Sequence, residues 1–188
     1  MKKITADFLV LGAGVGGYTS AFYAADRGRQ VLLVEQDNAL GGVCLQRGCI
    51  PSKALLHATK LAEEAEMSGF RGIEFSAPKI DVAKLRSWKE SVVAKMTGGL
   101  KQIAKVRNVT VMTGRAYFED SKTIRLETPD GQSFISFNTC VIATGSKPAL
   151  PKVFDLGNPR IMTSTEALEL PEIPEELLVV GGGYIGME

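Results

Sequence analysis

A six-residue apolar run, residues 6–11 (ADFLVL), ends abruptly in glycines at positions 12, 14 and 17, and no other feature of the chain restricts its fold so strongly. The run is too short for an amphipathic helix and reads as a strand buried on both faces. Residues 14–28 then carry small residues and good helix formers as far as Gly28, and residues 30–35 (QVLLVE) make a second buried strand closed by Glu35. Together they form a strand–helix–strand unit of about 30 residues. In such a unit Gly12 permits a tight turn, Gly14 lets backbone approach a pyrophosphate, and Gly17 lets the helix pack on the strand. The helix N-terminus offers free N–H groups and a positive dipole end to phosphates. Glu35 is placed to accept a hydrogen bond from a ribose 2′-hydroxyl, and an acid there argues against a 2′-phosphate, so FAD or NAD fits better than NADP. Taken without that context, the three glycines would suit a plain glycine-rich turn.

Composition narrows the class further. Hydrophobic residues make up 45% of the 188 and charged residues 23%, enough apolar surface to offset ordering entropy. The length suits one domain with the edge of a second. Net charge is +1, from 22 basic and 21 acidic residues spread along the chain, which excludes the basic stripe of a nucleic-acid binder. No apolar run reaches the ~18 residues of a membrane span. Residues 8–17 are broken by glycines and lack a small-residue cleavage pattern, so they are not a signal peptide. The expected compartment is the cytoplasm.

Beyond the first unit, residues 43–67 read as helix in two pieces around Pro51, and residues 81–105 as a second long helix that Asp81 caps and Gly98-Gly99 weakens or bends. From residue 109 the period changes to two, predicting a strand there and then strands at 115–119, 123–128 and 132–137, with a turn at Pro129-Asp130-Gly131. A further buried strand is expected at 140–143, and another at 177–180 running into Gly181-Gly182-Gly183. The fold class is α/β: a Rossmann-like parallel sheet with helices, a small antiparallel β-meander inserted before the returning strand near residue 140, and the start of a second Rossmann-like unit. Residues 1–150 form the first domain on this reading, and residues 151–188 a linker with the first strand and glycine loop of the next.

The cysteines are Cys44, Cys49 and Cys140. So small and odd a count does not suit a structural disulfide framework. Cys44 and Cys49 lie five apart on the turn entering a helix, where a local disulfide is possible and a helix N-terminus with a nearby cation would favour the reactive thiolate. Two inert core thiols are the bland alternative. Half a zinc site is the other, but Cys140 and His57 are the only obvious further ligands, so no metal is expected.

The stretch GGVCLQRGCIPSKALL, residues 41–56, resembles the active-site signature of the pyridine nucleotide-disulfide oxidoreductases, and its continuation from Ile50 is most similar to the dihydrolipoamide dehydrogenase branch. Residues 141–148 (VIATGSKP), 164–168 (STEAL) and 180–188 (VGGGYIGME) agree with it, so the resemblance covers the whole chain. It implies a redox-active disulfide between Cys44, exchanging with substrate, and Cys49, nearer the flavin. It further implies that Gly12, Gly14, Gly17 and Glu35 hold the ADP half of FAD. Gly42, Val43 and Cys44 would line the flavin and pyrophosphate, the backbone around Gly114 and Ala116 would contact adenine, and Ala143, Thr144, Gly145 and Ser146 would close the site. Lys53 would lie near the flavin ring, paired with Glu188, and Gly181, Gly183 and Gly186 would form the NAD fingerprint.

The implied reaction runs from dihydrolipoyl groups of a 2-oxoacid dehydrogenase or glycine cleavage complex, through the disulfide and FAD, to NAD, in a homodimer. Mercuric or glutathione reductase-like relatives, and a non-catalytic flavin-binding module, are the alternatives. The family's remaining segments, including most of its NAD domain and its dimerisation domain, are not in this sequence, so the chain is expected to be a fragment. His57 reads as a surface or helix-packing residue, Cys140 as a small core residue and Trp88 as helix packing.

Overall fold

The computed structural model describes residues 2–188. The chain packs as two units: residues up to 46 together with 95–146, and residues 47–94 together with 147–188.

The first unit is a six-stranded mixed sheet. Strands β1 (Lys2–Leu11), β2 (Val31–Glu35), β3 (Thr110–Thr113), β4 (Arg115–Asp120), β5 (Thr123–Thr128) and β6 (Gly131–Ile142) lie in the order β3-β2-β1-β6-β5-β4. The β3-β2-β1-β6 half is parallel and the β6-β5-β4 half antiparallel. All five residues of β2 are buried, as an uninterrupted apolar run requires when both faces of a sheet are covered. Side chains of β1 alternate between two cores. Leu9 and Leu11 pack with Ile124, Leu126, Ile135 and Phe137 of the antiparallel half. Val10 packs with Ala21 and Ala24 of helix α1 (Val15–Asp26) and with Ala104.

The strands expected at 132–137 and 140–143 are one strand. β6 runs unbroken for 12 residues because β1 accompanies it in parallel register from Lys2↔Ser133 to Leu11↔Ile142. That continuous partner carries the pairing across Asn138 and Thr139, the gap between the two expected strands. Their side chains instead face the Asp7–Arg29 ion pair: Asn138 Nδ2 donates to Asp7 Oδ1, and Arg29 Nη2 to Thr139 Oγ1.

Helix α2 (Gly42–Arg47) ends at Gly48 and α3 (Cys49–Met67) begins directly after it. The interruption therefore falls at Gly48, not at the expected Pro51. Pro51 sits in the first turn of α3, where a helix needs no N–H from it. Helix α4 (Val82–Val106) is capped as anticipated, the Lys84 N–H donating to Asp81 Oδ1 at 3.0 Å. It runs continuously through Gly98-Gly99, so the expected weak point is not a break.

In the second unit, α5 (Ser164–Glu169) starts on a capping box in which the Thr163 N–H donates to Glu166 Oε2 at 2.8 Å. Its C-terminal end is held by α4: Lys89 Nζ donates to the Leu168 carbonyl at 2.7 Å, and Arg86 Nη2 to the carbonyls of Leu170 at 2.6 Å and Pro171 at 3.0 Å. Residues 177–180 precede α6 (Tyr184–Met187) without forming the expected strand. A strand is stabilised by its neighbours. No described strand pairs with this run, and Leu178 is 87% exposed. Among the described residues no helix is long and apolar enough to cross a membrane.

Candidate dinucleotide and thiol site

Where β1 passes into α1, three loops of the first unit converge. The Gly12 N–H donates to the Val34 carbonyl, the Ala143 N–H to the Leu11 carbonyl and the Gly41 N–H to the Ala13 carbonyl, each at 2.8 Å. Gly12 takes a φ of +93°, and a Cβ there would meet the Ala143 carbonyl oxygen at 2.3 Å. A Cβ on Gly17 would lie 1.7 Å from the Gly12 carbonyl oxygen, and one on Gly42 would lie 2.6 Å from Gly14 Cα. Protein packing alone therefore demands glycine at 12, 17 and 42.

Gly14 differs. It is the N-cap of α1 with φ −71°, a conformation open to any residue, and a Cβ there would meet only Gly42 Cα at an ordinary 3.8 Å. Nothing in the protein requires this glycine. Its place at the mouth of a 12-residue helix with unpaired N–H groups is where a pyrophosphate would need the space.

Glu35 is 8% exposed and holds the loop together. The Ala13 N–H donates to its Oε2 at 2.6 Å and the Asp37 N–H to its Oε1 at 3.0 Å. A buried carboxylate needs such donors to offset its desolvation. Each oxygen retains a second acceptor direction, so a ribose hydroxyl can still be received. The hold on Ala13 has no signature in the sequence spacing.

Past the end of β2, a cavity of about 460 Å³ is bounded by Asp37, Asn38, Gly114, Arg115, Glu127 and Thr128. The Gly114 N–H donates to the Glu35 carbonyl at 2.8 Å, and Ala116 is half-buried on β4. Ala143, Thr144, Gly145 and Ser146 form the loop leaving β6, with Ala143 against Gly12 and the other three exposed. Gly42, Val43 and Cys44 open α2; Val43 is exposed and Cys44 half-buried. The residues expected around the ADP portion all lie in the first unit.

Gln46, which sequence reasoning passed over, fastens α2. Its Nε2 donates to the Leu40 carbonyl and to Thr97 Oγ1, both at 2.7 Å.

The second unit holds the rest. Cys49 is exposed in the first turn of α3. One turn along α3, Lys53 Nζ donates to Glu188 Oε1 at 2.9 Å. Ser52 Oγ donates to the same oxygen at 2.5 Å, a contact that sequence did not announce. The Ser52 hydrogen bond, then Lys53, hold the Glu188 carboxyl below its ordinary range. The pair is open to water, with side chains 63% and 31% exposed, so its Coulomb attraction is screened.

Gly181, Gly183 and Gly186 repeat the first loop's backbone: Gly181 has φ +112°, Gly183 is an extended N-cap, and a Cβ on Gly186 would lie 2.2 Å from the Gly181 carbonyl oxygen. His57 is exposed on α3, and Cys140 is half-buried on β6, its thiol pushed up by desolvation. Among the described residues no three metal-ligating side chains cluster.

These features have counterparts in known proteins. The family model for pyridine nucleotide-disulphide oxidoreductases matches residues 6–188. Dihydrolipoyl dehydrogenase of Vibrio parahaemolyticus is 47% identical over 187 residues, covering 100% of this chain and 39% of the relative. The Haemophilus influenzae protein of that name is 48% identical over 188 residues, with the same coverage. A Cu(II) complex of the HOCl-induced flavoprotein disulfide reductase RclA from Escherichia coli superimposes with a TM-score of 0.81 at 30% identity, over 99% of this chain and 38% of that one. The chain spans about two fifths of the length of these relatives. With a match over nearly all of its residues, it belongs to the pyridine nucleotide-disulphide oxidoreductase family.

Proposed function

We propose that this chain builds the FAD-binding part of a dihydrolipoyl dehydrogenase-type oxidoreductase and carries its exchanging cysteines. The observation that supports this best is Gly14, a glycine that no protein atom requires, at a helix mouth beside the buried acid Glu35. Residues 1–150 would be the FAD-binding domain and residues 151–188 the linker and first glycine loop of an NAD-binding domain.

For the whole protein the reaction is dihydrolipoyl dithiol plus NAD⁺ giving lipoyl disulfide, NADH and a proton. A substrate thiolate attacks Cys44 Sγ of the Cys44–Cys49 disulfide, and Cys49 leaves as a thiolate. The second substrate thiol then displaces Cys44, closing the substrate disulfide and leaving a protein dithiol. When bound, FAD supplies the two-electron relay from that dithiol to the nicotinamide. The N–H groups opening α1 would hold the pyrophosphate, and Glu35 would receive the ribose hydroxyl. Lys53, which donates to Glu188, would supply a positive charge for the reduced flavin. Lipoyl groups of a 2-oxoacid dehydrogenase or glycine cleavage complex are the substrates in this reading, and the working assembly is a homodimer. The shared name of these two relatives supports that choice of dithiol.

Two measurements test the proposal. Gly14→Val should leave the circular-dichroism spectrum intact yet weaken FAD binding by roughly 100-fold or more, as a filled pyrophosphate site loses several hydrogen bonds to a charged group. Retention of FAD at parental affinity would remove the phosphate site from Gly14. In FAD-loaded protein under anaerobic conditions, dihydrolipoamide should reduce the flavin of the parent but not of Cys44→Ser, while dithionite reduces both. A parent flavin that stays oxidised with dihydrolipoamide would refute the dithiol reading.

A further inference from the structure

We propose that Gln46 is a positioning residue: a two-point amide clamp that fixes helix α2 and, through it, the Cys44 thiol. The proposal rests on the reading of Cys44 as the exchanging cysteine. Helix α2 has six residues, far too few to be helical unaided, so its placement comes from tertiary contacts. Its apolar contact is Leu45, which is buried against the Gly41 turn. The close approach of Gly42 to Gly14 seats its first turn, and one apolar contact alone does not fix the rotation of a short helix about its own axis.

Gln46 restrains that rotation. An amide carries two N–H donors, and both are committed, one to the Leu40 carbonyl and one to Thr97 Oγ1, each at 2.7 Å. The two acceptors belong to separate elements, the loop after β2 and helix α4, with Thr97 51 residues further along the chain. Both are enclosed: Leu40 is 3% exposed and Thr97 8%. A buried acceptor deprived of its donor is costly, so any roll of α2 that breaks the clamp is resisted at both ends. Cys44 lies two residues before Gln46, on a different face of the helix, and is held through the orientation of α2 and not by touching the amide. The clamp also explains the residue type. Asparagine is one methylene short of spanning both acceptors, and glutamate brings no donor while setting an anion against a carbonyl.

Peptide-resolved alkylation of the reduced full chain by iodoacetamide reads the rate at Cys44 directly, as its thiolate displaces iodide. Gln46→Ala and Thr97→Val should each speed Cys44 alkylation by about tenfold, the effect expected when one or two net hydrogen bonds cease to restrain a local opening. The double variant should be no faster than Gln46→Ala, Thr97→Ser should match the parent, and Cys140 on β6 should keep its parental rate throughout. Unchanged Cys44 rates in both single variants would overturn the proposal. So would an equal acceleration at Cys140, because that reports general loosening and not release of α2. The readout needs no flavin, so a failure of the underlying functional reading appears separately, as absence of dihydrolipoamide-dependent flavin reduction.

Discussion

The two glycine loops of this chain have nearly the same backbone and opposite surroundings. In each, the first glycine has positive φ, the middle one is an extended N-cap, and the last could not carry a Cβ without striking the first one's carbonyl oxygen. Around Gly12, however, the packed β1 feeds the loop, Ala143 crosses it and Glu35 fastens it. A Cβ on Gly181 would meet nothing within 4 Å, and the apolar run before it is exposed. Turn geometry is thus a local property of the glycine spacing, whereas a rigid cradle needs a sheet beneath it and a second loop across it. Only the first loop combines both with a buried acid.

The largest expected difference between the loops is in stability. Gly17→Val places atoms inside the Gly12 carbonyl in the middle of the sheet unit, and should cost about 4 kcal/mol or more, enough to abolish cooperative folding. Gly186→Val meets the same local obstruction but in an exposed segment, and should cost roughly 0.5 kcal/mol or less. Urea titrations of the two variants decide it. Equal losses would mean that the second loop is as firmly seated as the first.

The ion pairs of the two units extend the contrast. Arg29 binds Asp7 with both arms of its guanidinium, Nε at 2.5 Å and Nη2 at 2.9 Å, and the Asn138 side chain adds a third donor. These hydrogen bonds, led by Arg29, lower the Asp7 carboxyl from 3.8 to about 2. A depressed folded-state value means the stabilisation is complete above the unfolded value near 3.8 and is lost as pH falls toward 2. The melting temperature of the parent should therefore drop between pH 4 and pH 2 by more than that of Asp7→Asn. Parallel curves would show that the fork contributes nothing across the β1–β2–β6 edge.

How much of this was readable in the sequence depends on the range of the interaction. The 12-14-17 spacing and the buried strands β1 and β2 are local patterns, and they form as expected. What was misread needed knowledge of a distant partner. Asn138 and Thr139 look like a break until β1 is seen beside them, and residues 177–180 look like a strand although no described strand pairs with them. The clamp of Gln46 on Thr97 and the contact of Ser52 with Glu188 join residues 51 and 136 apart, and a single polar side chain has no period to betray it. Helix α5 is a different case: its Thr163-x-x-Glu166 spacing signals a capping box, but six residues carry too few apolar positions to confirm a helix from pattern.

The smallest effect belongs to Glu188. Ser52 Oγ and Lys53 Nζ converge on its Oε1 at 2.5 and 2.9 Å, from neighbouring positions in the first turns of α3. Both donors favour the carboxylate, so the group stays ionised to lower pH than the ordinary 4.5, with Ser52 the larger cause. Removing the hydroxyl in Ser52→Ala should raise the carboxyl's titration midpoint while leaving Lys53 as a single donor. Removing the ammonium in Lys53→Ala should also raise it, and in FAD-loaded protein should make the flavin harder to reduce, because negative charge on the reduced ring loses its counter-charge. Since the pair is exposed, neither substitution should shift the melting temperature detectably, in contrast to the Asp7 fork. Carbon-13 NMR of glutamate-labelled protein follows the carboxyl through its titration, and spectroelectrochemistry follows the flavin. A midpoint that does not move in Ser52→Ala would assign the depressed titration to Lys53 alone. An unaltered flavin potential in Lys53→Ala would separate this ion pair from the redox site altogether.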